Sequence, residues 1–405
     1  MNGWQGRTGK SMAEKIIIIT GSAPCVHDDL ARLPVRLGLY DVMAIGLDAV
    51  DKYPGHIKYV ATNHPEDIPA IRTRRALIKG NMDYLVISYQ AHEGVDIVQP
   101  LGPVSGSSAI LGALASIALG YDRIILCGCP LVGNAPEGNP YEAFRPGWEA
   151  VKTTVIGKIK SMSGWTREFL GGPPEVTIGA CWDGRDYYSI DYINRLFSSV
   201  ARNTFVPFDS VLYVGPEAEK PGRTDGIDPS ITIIPVGLPF WWSGFVFWSK
   251  DPPGIVTPSI LYLDLDQVIV GSLDEIITYS SEQAYMKDYP SHSCPYDREK
   301  SACVSTSLIR NGAGAKVWDE YVAQGKPVWD PLAPPSHRIF PVGCQSILDD
   351  PRYGMRYDLF PENWICSYRL QVLPRGLPDD CRIVAFHGRP KPHECKEQWI
   401  KEHWR

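Results

Sequence analysis

Residues 260–270 read ILYLDLDQVIV, an apolar run interrupted by two carboxylates that stand one residue apart. A short apolar run of this composition is typical of a buried strand. Side chains alternate between the two faces of a strand, so Asp264 and Asp266 are predicted to point to the same side. Two carboxylates on one edge suit Mg²⁺ or Mn²⁺, because these cations prefer oxygen ligands. An acidic turn after a buried strand has the same signature, and the motif alone leaves both interpretations open.

The composition is that of an ordinary globular protein with two domains. Its 405 residues exceed what one hydrophobic core usually serves. The net charge is −6 and no block of Lys or Arg forms a basic stripe, which argues against duplex nucleic acid as a partner. No run reaches the length of a membrane span and the first residues lack the apolar core of a signal peptide, so we expect a cytosolic protein. The ten cysteines are scattered without a C-x-x-C pair, which favours free thiols over a zinc site.

The first half of the chain alternates apolar strands with helices. Residues 1–14 are polar and Gly-rich and are predicted to form a disordered tail. The predicted elements that follow are strands at 16–19, 42–45, 84–87 and 123–127 and helices at 28–37 and 107–119. Continuous apolar strands interleaved with helices indicate a parallel sheet covered on both faces. We therefore predict an α/β fold with a Rossmann-like, doubly wound domain at residues 15–172.

A second α/β pattern begins after Gly171-Gly172-Pro173-Pro174, because Gly and Pro together end the helical stretch predicted at 148–169. Its predicted elements are a strand at 176–180, a helix at 189–202, a strand at 211–214 and the strand that carries Asp264. The tail from Pro327 onward is rich in Pro and aromatic residues and is predicted to wrap this domain in loops. The second Rossmann-like domain is thus expected at residues 173–405.

Five features of this second domain follow one another in a distinctive order. They are the sequence Val176 to Trp182, the helix at 192–200, Trp241-Trp242, the run 261–266 with Gly271-Ser272-Leu273 after it, and the loop 386–392, which reads FHGRPKP. This order resembles a GT-A glycosyltransferase of the family 8 type, in a group common in bacteria and phages, over residues 175–395. The resemblance implies a GT-A fold and transfer of a sugar from a nucleotide-diphospho-sugar donor. The acceptor stays open and is a glycan, a protein or a modified nucleotide.

The same resemblance implies roles for the Asp264 motif and the C-terminal loop. Asp264 and Asp266 would hold Mn²⁺ or Mg²⁺, which stabilises the leaving nucleoside diphosphate as a Lewis acid. Lys391 matches the family's lysine by spacing and would add a point charge at the same phosphates. His387 is predicted as a third metal ligand, the alternative being a loop histidine bonded to the backbone. Several family members carry that histidine at the position of Ala385 instead.

The donor is expected beyond the carboxyl end of the first strand of this domain, as in open α/β sheets generally. The residues assigned to donor binding are Ala180, Cys181, Trp182, Asp183, Tyr187, Leu265, Gly388 and Lys391. Trp182 is either a stacking platform for the base or a core residue. Gln345 is predicted to contact the transferred sugar and is grouped with the two aspartates as catalytic. Cys344 stands beside it where many relatives carry Asp.

The role of the first domain stays open in the sequence. Thr20-Gly21-Ser22-Ala23-Pro24 follows its first strand, where a phosphate-binding turn is expected, but the glycine spacing is not that of a dinucleotide or P-loop fingerprint. Together with residues 40–46 and 105–109, this segment weakly resembles MptE-like pyrophosphokinases and bacterial sialyltransferase-like folds. That resemblance implies a Rossmann-like domain that binds a nucleotide or a glycan.

Two rival functions follow from these observations. A nucleotidyl- or pyrophosphotransferase centred on the first domain needs a basic cluster near Gly21, for which the candidates are Arg72, Arg74 and Arg75. A glycan-binding protein with a degenerate site is the other rival, and the intact aspartate pair argues against it. His64 and His92 would be catalytic if the first domain were a second transferase, and are loop histidines otherwise.

Overall fold

The computed structural model describes residues 15–35, 38–100, 107–133, 141–288, 301–325 and 345–405. For Phe240, Trp241, Gln345 and Ser346 it describes the backbone alone. The predicted tail at 1–14 and the start of the predicted C-terminal loops, at 327–344 with Cys344, lie outside the described residues. The chain divides between Pro173 and Pro174 into two compact units, here called the first and the second unit.

The first unit is built on a parallel sheet. Its strands are β1 (Ile16–Thr20), β2 (Tyr40–Ile45), β3 (Tyr59–Ala61), β4 (Leu85–Ser88), β5 (Ile97–Val98), β6 (Arg123–Cys127) and β7 (Ile159–Ser161). Its helices are α1 (Val26–Ala31), α2 (Ile68–Leu77), α3 (Ser108–Ala118), α4 (Arg145–Ala150), α5 (Lys152–Val155) and α6 (Gly164–Leu170), with 3₁₀ turns at Pro65–Asp67 and Tyr141–Phe144. Every residue of β1 is buried, as an unbroken apolar run predicts for a central strand.

The order of these strands confirms the predicted α/β class. Within the described residues seven strands pair in the order β5-β4-β3-β2-β1-β6-β7, and all neighbours are parallel. The chain reverses its direction across the sheet between β1 and β6. Right-handed crossovers on the two sides of β1 therefore place helices on opposite faces, which is the doubly wound arrangement.

The single helix predicted at 148–169 is wrong. Gly157 has a φ of +81°, a left-handed conformation that favours glycine, and the helical run ends there. The edge strand β7 follows and pairs with β6, Ile159 standing opposite Ile124. By periodicity alone, a short apolar run beside a helical pattern fits either a helix or a strand. Residues 159–161 form a strand because they pair with the edge of β6.

The second unit has a mixed sheet. Its strands are β8 (Val176–Trp182), β9 (Phe208–Val214), β10 (Ile231–Pro235), β11 (Ser259–Leu263), β12 (Gln267–Ile269), β13 (Gln283–Lys287), β14 (Ala302–Arg310), β15 (Asp358–Leu359), β16 (Ile365–Ser367) and β17 (Ile383–Ala385). Its helices are α7 (Ile190–Arg202), α8 (Asp274–Ile277), α9 (Ala315–Ala323), α10 (Gln345–Leu348), α11 (Leu373–Arg375) and α12 (Gln398–His403), with 3₁₀ turns at Pro216–Glu219, Phe240–Trp248, Pro351–Tyr353 and Pro392–Glu394 and a π turn at Tyr368–Val372. In the part of the chain that the structure describes, the larger sheet has the order β10-β9-β8-β11-β14-β13-β15, with β8 to β11 parallel and β14 antiparallel to β11.

The Asp264 motif is a turn between two sheets, so the prediction that both carboxylates lie on one face of one strand is wrong. β11 ends at Leu263, and residues 264–266 form the turn. The backbone amide of Asp264 still donates to the carbonyl oxygen of Ser305, on β14 of the larger sheet, at 2.9 Å. β12 then begins at Gln267 and pairs with β17. The chain therefore passes from one sheet to the other at the two carboxylates.

The C-terminal tail supplies strands where loops were predicted. β16 and β17 join β12 in a second sheet, whose order within the described residues is β12-β17-β16. All three residues of β17 are buried. Strands of three residues between Pro- and Trp-rich segments carry too little alternation to be predicted from pattern. No described helix combines the length and the hydropathy that a bilayer crossing requires.

Arg75 on α2 is fully buried and fixes the loop between β2 and β3. Its guanidinium donates to carbonyl oxygens of Val50, Tyr53 and Gly55 and to both oxygens of Asn81. A guanidinium has five N–H donors, and these bonds use all of them. Arg75 is therefore unavailable to a bound phosphate.

Arg75→Met should lower the free energy of unfolding by about 3 kcal/mol or more, because methionine leaves several buried oxygens without a donor. The measurement is urea denaturation of the full chain followed by circular dichroism. Arg72→Met, at an exposed position on the same helix, is the control and should stay within about 0.5 kcal/mol of the parent. Equal effects of the two substitutions would show that the buried hydrogen bonds of Arg75 make no special contribution to the free energy of unfolding.

Candidate functional site

The turn at residues 264–266 brings the C-terminal loop against the aspartate pair. β12 leaves the turn and pairs with β17, and β17 leads directly into the loop that begins at Phe386. The backbone amide of Phe386 donates to the carbonyl oxygen of Asp266 at 3.3 Å. This pairing places Lys391 beside a carboxylate that precedes it by 125 residues.

Asp266 and Lys391 form a buried ion pair. The residues are only 9% and 7% exposed, and the ammonium Nζ donates to Oδ2 of Asp266. Nζ also donates to the carbonyl oxygen of Phe386 at 3.0 Å, and the hydroxyl of Tyr188 donates to the same Oδ2 at 2.7 Å. A carboxylate taken out of water is tolerated only when it is paired and hydrogen-bonded, and Asp266 has both kinds of partner.

Among the described residues, no cationic side chain contacts Asp264 directly. Its Oδ1 accepts a hydrogen bond from the hydroxyl of Tyr262 at 2.7 Å, and that hydroxyl lies 3.2 Å from Sγ of Cys181. Burial and then the charge of Asp266 raise the pKa of Asp264 to about 7, against the lowering effects of Tyr262 and Lys391. Burial, followed by the charge of Asp264, also raises the pKa of the Cys181 thiol to about 12. Asp264 is thus a carboxylate that favours an added positive charge.

Aromatic side chains line the same site. Nζ of Lys391 lies 5.7 Å from the ring centroid of Tyr187 and 5.5 Å from that of Tyr188, within the usual range for cation–π attraction. Tyr187 is 59% exposed and packs edge-on against Tyr188. Burial, and then the charge of Asp266, raises the pKa of Tyr188, so its hydroxyl stays a hydrogen-bond donor. The exposed ring of Tyr187 is the open side of the site.

The loop that carries Lys391 is held by its backbone. Gly388 has a φ of +73°, which favours glycine, and this left-handed residue turns the chain back toward the aspartates. The backbone amide of Lys391 donates to Oε2 of Glu394 at 2.7 Å, and Glu394 also forms an ion pair with Arg389. The lysine backbone is therefore anchored independently of the contact that its ammonium makes.

The other residues assigned from the sequence lie in different environments. Ala180 and Leu265 are buried in the hydrophobic core. Trp182 is buried in the same core and donates through Nε1 to the carbonyl oxygen of Tyr188 at 2.9 Å. Asp183 pairs with Arg185 at the end of β8. Gln345 is the first residue of α10, and its side chain lies outside the described part of the structure.

The donor set fits a cation as a pair of carboxylates and not as a three-residue centre. Among the described residues no group of three or more His, Cys, Asp or Glu side chains is placed to hold a metal ion. His387 bonds through Nε2 to the hydroxyl of Ser367. Asp264 and Asp266 each use one oxygen in the bonds given above, and their second oxygens accept no hydrogen bond within the described residues. Two free carboxylate oxygens and an elevated pKa at Asp264 suit Mg²⁺ or Mn²⁺. The metal site itself stays a prediction.

Two tyrosines that orient the carboxylates were not among the assigned residues. Tyr262 stands two residues before Asp264, and residues at that spacing share a face where a strand continues. That spacing would have found Tyr262. Tyr188 follows Tyr187 directly, but its bond to Asp266 joins two distant segments and has no local signal.

In the first unit, the candidate functional residues from the sequence lie in the following environments. Gly21 lies so close to β6 that a Cβ atom there would sit 2.2 Å from the carbonyl oxygen of Gly128, so only glycine fits. Arg74 pairs with Asp48 at 2.6 Å. The predicted loop histidines are exposed: Nδ1 of His64 lies 3.2 Å from Glu66, and Nδ1 of His92 lies 3.0 Å from the carbonyl oxygen of Glu93.

Comparison of this chain with known proteins finds distant structural similarities. No protein-family model and no curated protein matches the chain. Among solved structures the chain is similar to the galactosyltransferase LgtC with donor and acceptor sugar analogues, at 15% identity over 53% of this chain and 88% of that one, with a TM-score of 0.37. It is also similar to the glycosyltransferase GlyE of Streptococcus pneumoniae TIGR4, at 15% identity over 54% of this chain and 56% of that one, with a TM-score of 0.34. A third likeness is to the sialyltransferase CstII of Campylobacter jejuni, at 17% identity over 40% of this chain and 85% of that one, with a TM-score of 0.28. None of these likenesses assigns the chain to a family.

Asp264→Asn should stabilise the metal-free protein above pH 7, because asparagine removes a carboxylate whose charged form is disfavoured by burial and by Asp266. The folded pKa of about 7 lies above the ordinary value of 3.8, so this aspartate lowers stability progressively as pH rises from 4 to 7 and by a constant amount above that. We expect the melting temperature of the variant to exceed that of the parent by about 2 °C or more at pH 8.

The test is a series of thermal melts in EDTA between pH 4 and pH 8. The difference between variant and parent should grow with pH and then level off near pH 7. A difference that is independent of pH, or that shrinks as pH rises, would contradict the elevated pKa of Asp264.

Proposed function

We propose that this chain is a metal-dependent glycosyltransferase that moves a sugar from a nucleotide-diphospho-sugar donor to an acceptor. One arrangement carries the proposal: two carboxylates, each with one oxygen that accepts no hydrogen bond from the described residues, a lysine ammonium and an exposed tyrosine ring meet at one turn. These groups match two parts of the donor, its diphosphate and its base. The carboxylates suit a cation on the diphosphate, the ammonium suits a phosphate oxygen, and the ring suits a base.

In this proposal Asp264 and Asp266 hold Mn²⁺ or Mg²⁺. A divalent cation, when bound there, offsets the negative charge that grows on the diphosphate as the sugar leaves. Tyr262 and Tyr188 keep one oxygen of each carboxylate in a fixed direction. The second oxygen of each carboxylate, which accepts no hydrogen bond from the described residues, points to the cation in the donor-bound state of this proposal.

The remaining roles belong to the C-terminal loop and to the residues around it. Lys391 binds the diphosphate by charge, and Gly388 lets the loop approach closely. Tyr187 stacks on the base. Gln345 contacts the transferred sugar. Two carboxylates hold the cation in this proposal, and the role of His387 as a third ligand stays a prediction. We assign transfer to residues 174–405 and binding of a nucleotide or a glycan to the first unit.

A panel of nucleotide-sugars with Mn²⁺ tests this proposal, because transferases slowly cleave the donor with water in place of the acceptor. Asp264→Asn and Asp266→Asn should each lower donor cleavage by about a hundredfold or more, since each removes charge that stabilises the leaving diphosphate. Asp319→Asn, at an exposed position on α9, is the matched control and should cleave donor like the parent.

Thermal melts of the same variants show whether the fold is retained. Release of nucleoside diphosphate that needs no metal, or that survives both aspartate substitutions, would reject metal-assisted sugar transfer at this turn. Release by none of the common nucleotide-sugars, at any metal concentration, would reject the donor class.

A further inference from the structure

The ammonium of Lys391 lies where a cation on Asp266 would lie. It contacts Oδ2 of Asp266 directly and is enclosed by the Phe386 carbonyl oxygen and by the rings of Tyr187 and Tyr188. We infer that Lys391 acts as a resident counter-ion that holds divalent metal off Asp266 until a diphosphate draws the ammonium away. This inference rests on the proposed function and adds an order to its binding steps.

Charge makes the two cations competitors. The ion pair is buried, and like charges repel more strongly in such a place than in water. A divalent cation on the aspartate pair would meet the ammonium at close range and would find Oδ2 of Asp266 already in use. The metal is therefore expected to bind weakly to the protein alone.

A diphosphate removes this conflict because it offers the ammonium another anion. The Lys391 side chain has a flexible four-carbon stem, and its backbone stays fixed by the Glu394 carboxylate whatever the ammonium contacts. Movement of the ammonium to a phosphate frees Asp266 for the metal. Metal and diphosphate then favour each other's binding reciprocally, as thermodynamic linkage requires.

The direct test measures Mn²⁺ binding to the full chain without any nucleotide, by the electron paramagnetic resonance signal of free Mn²⁺ at pH 7.5. Lys391→Met keeps the length of the side chain and removes its charge. This variant should bind Mn²⁺ about tenfold more tightly than the parent, a factor in the usual range for coupled sites. Tighter binding after loss of a proposed donor contact is the opposite of what general damage to the site would cause.

Lys316→Met is the matched control. It removes a lysine charge at an exposed position on α9, and should leave the Mn²⁺ dissociation constant within about threefold of the parent because an exposed charge outside the site is screened by solvent and salt. Asp266→Asn should weaken Mn²⁺ binding in both the parent and the Lys391→Met background, which would locate the bound metal at Asp266. If Lys391→Met fails to melt cooperatively, Lys391→Gln carries the same test.

The outcomes separate the two proposals. Equal or weaker Mn²⁺ binding by Lys391→Met, in a protein that does bind Mn²⁺ at Asp266, overturns the counter-ion role and leaves the transferase proposal standing. Equal tightening by Lys316→Met also overturns it, because loss of a positive charge anywhere on the protein, and not of the ammonium at Asp266, would then be the cause. Mn²⁺ binding by neither parent nor variant overturns the metal site of the proposed function, and the counter-ion role with it.

Discussion

The ion pair between Asp266 and Lys391 is the interaction on which the candidate site depends. It joins two segments that stand 125 residues apart, and it forms because β12 and β17 pair at the point where the chain leaves the larger sheet. Both partners are almost fully buried. Removing one partner of such a pair leaves an uncompensated charge, which costs far more than an exposed ion pair contributes. The C-terminal loop is therefore tied to the turn by charge as well as by the backbone.

The two aspartates have different surroundings although they stand one residue apart. Asp266 is neutralised by an ammonium, whereas the side-chain donor that Asp264 meets among the described residues is the hydroxyl of Tyr262. That difference explains why the pKa of Asp264 is raised by burial and by its neighbour's charge. Because the strand ends at Leu263, the turn aims the two carboxylates separately. A continued strand would have given both aspartates the same environment.

The sequence predicts the strongly patterned parts of this molecule and misses the parts that long-range pairing creates. The buried strands β1 and β6 follow from unbroken apolar runs, β8 from a run rich in apolar residues, and the helix α7 from its apolar face. β7 was taken for helix because three residues carry no period of their own. The residue types of the motif at Asp264 indicate the site, but not its turn geometry, because the strands that pair on either side of the turn, β14 and β17, are distant in the sequence. Lys391 was placed by family spacing alone, and the tyrosine that shares its aspartate was not found.

The two units differ in what the hydrogen bonds of their buried polar groups do. In the first unit the buried Arg75 spends all five donors on loop oxygens. Those bonds hold loops in place. In the second unit the corresponding bonds orient two carboxylates and leave one oxygen of each without a donor among the described residues. A polar group whose hydrogen-bonding capacity is fully used stabilises the fold. A carboxylate that is held in a fixed direction, with one oxygen unbonded, can still bind a ligand. That contrast is the physical reason to assign the chemistry to the turn at Asp264 and Asp266.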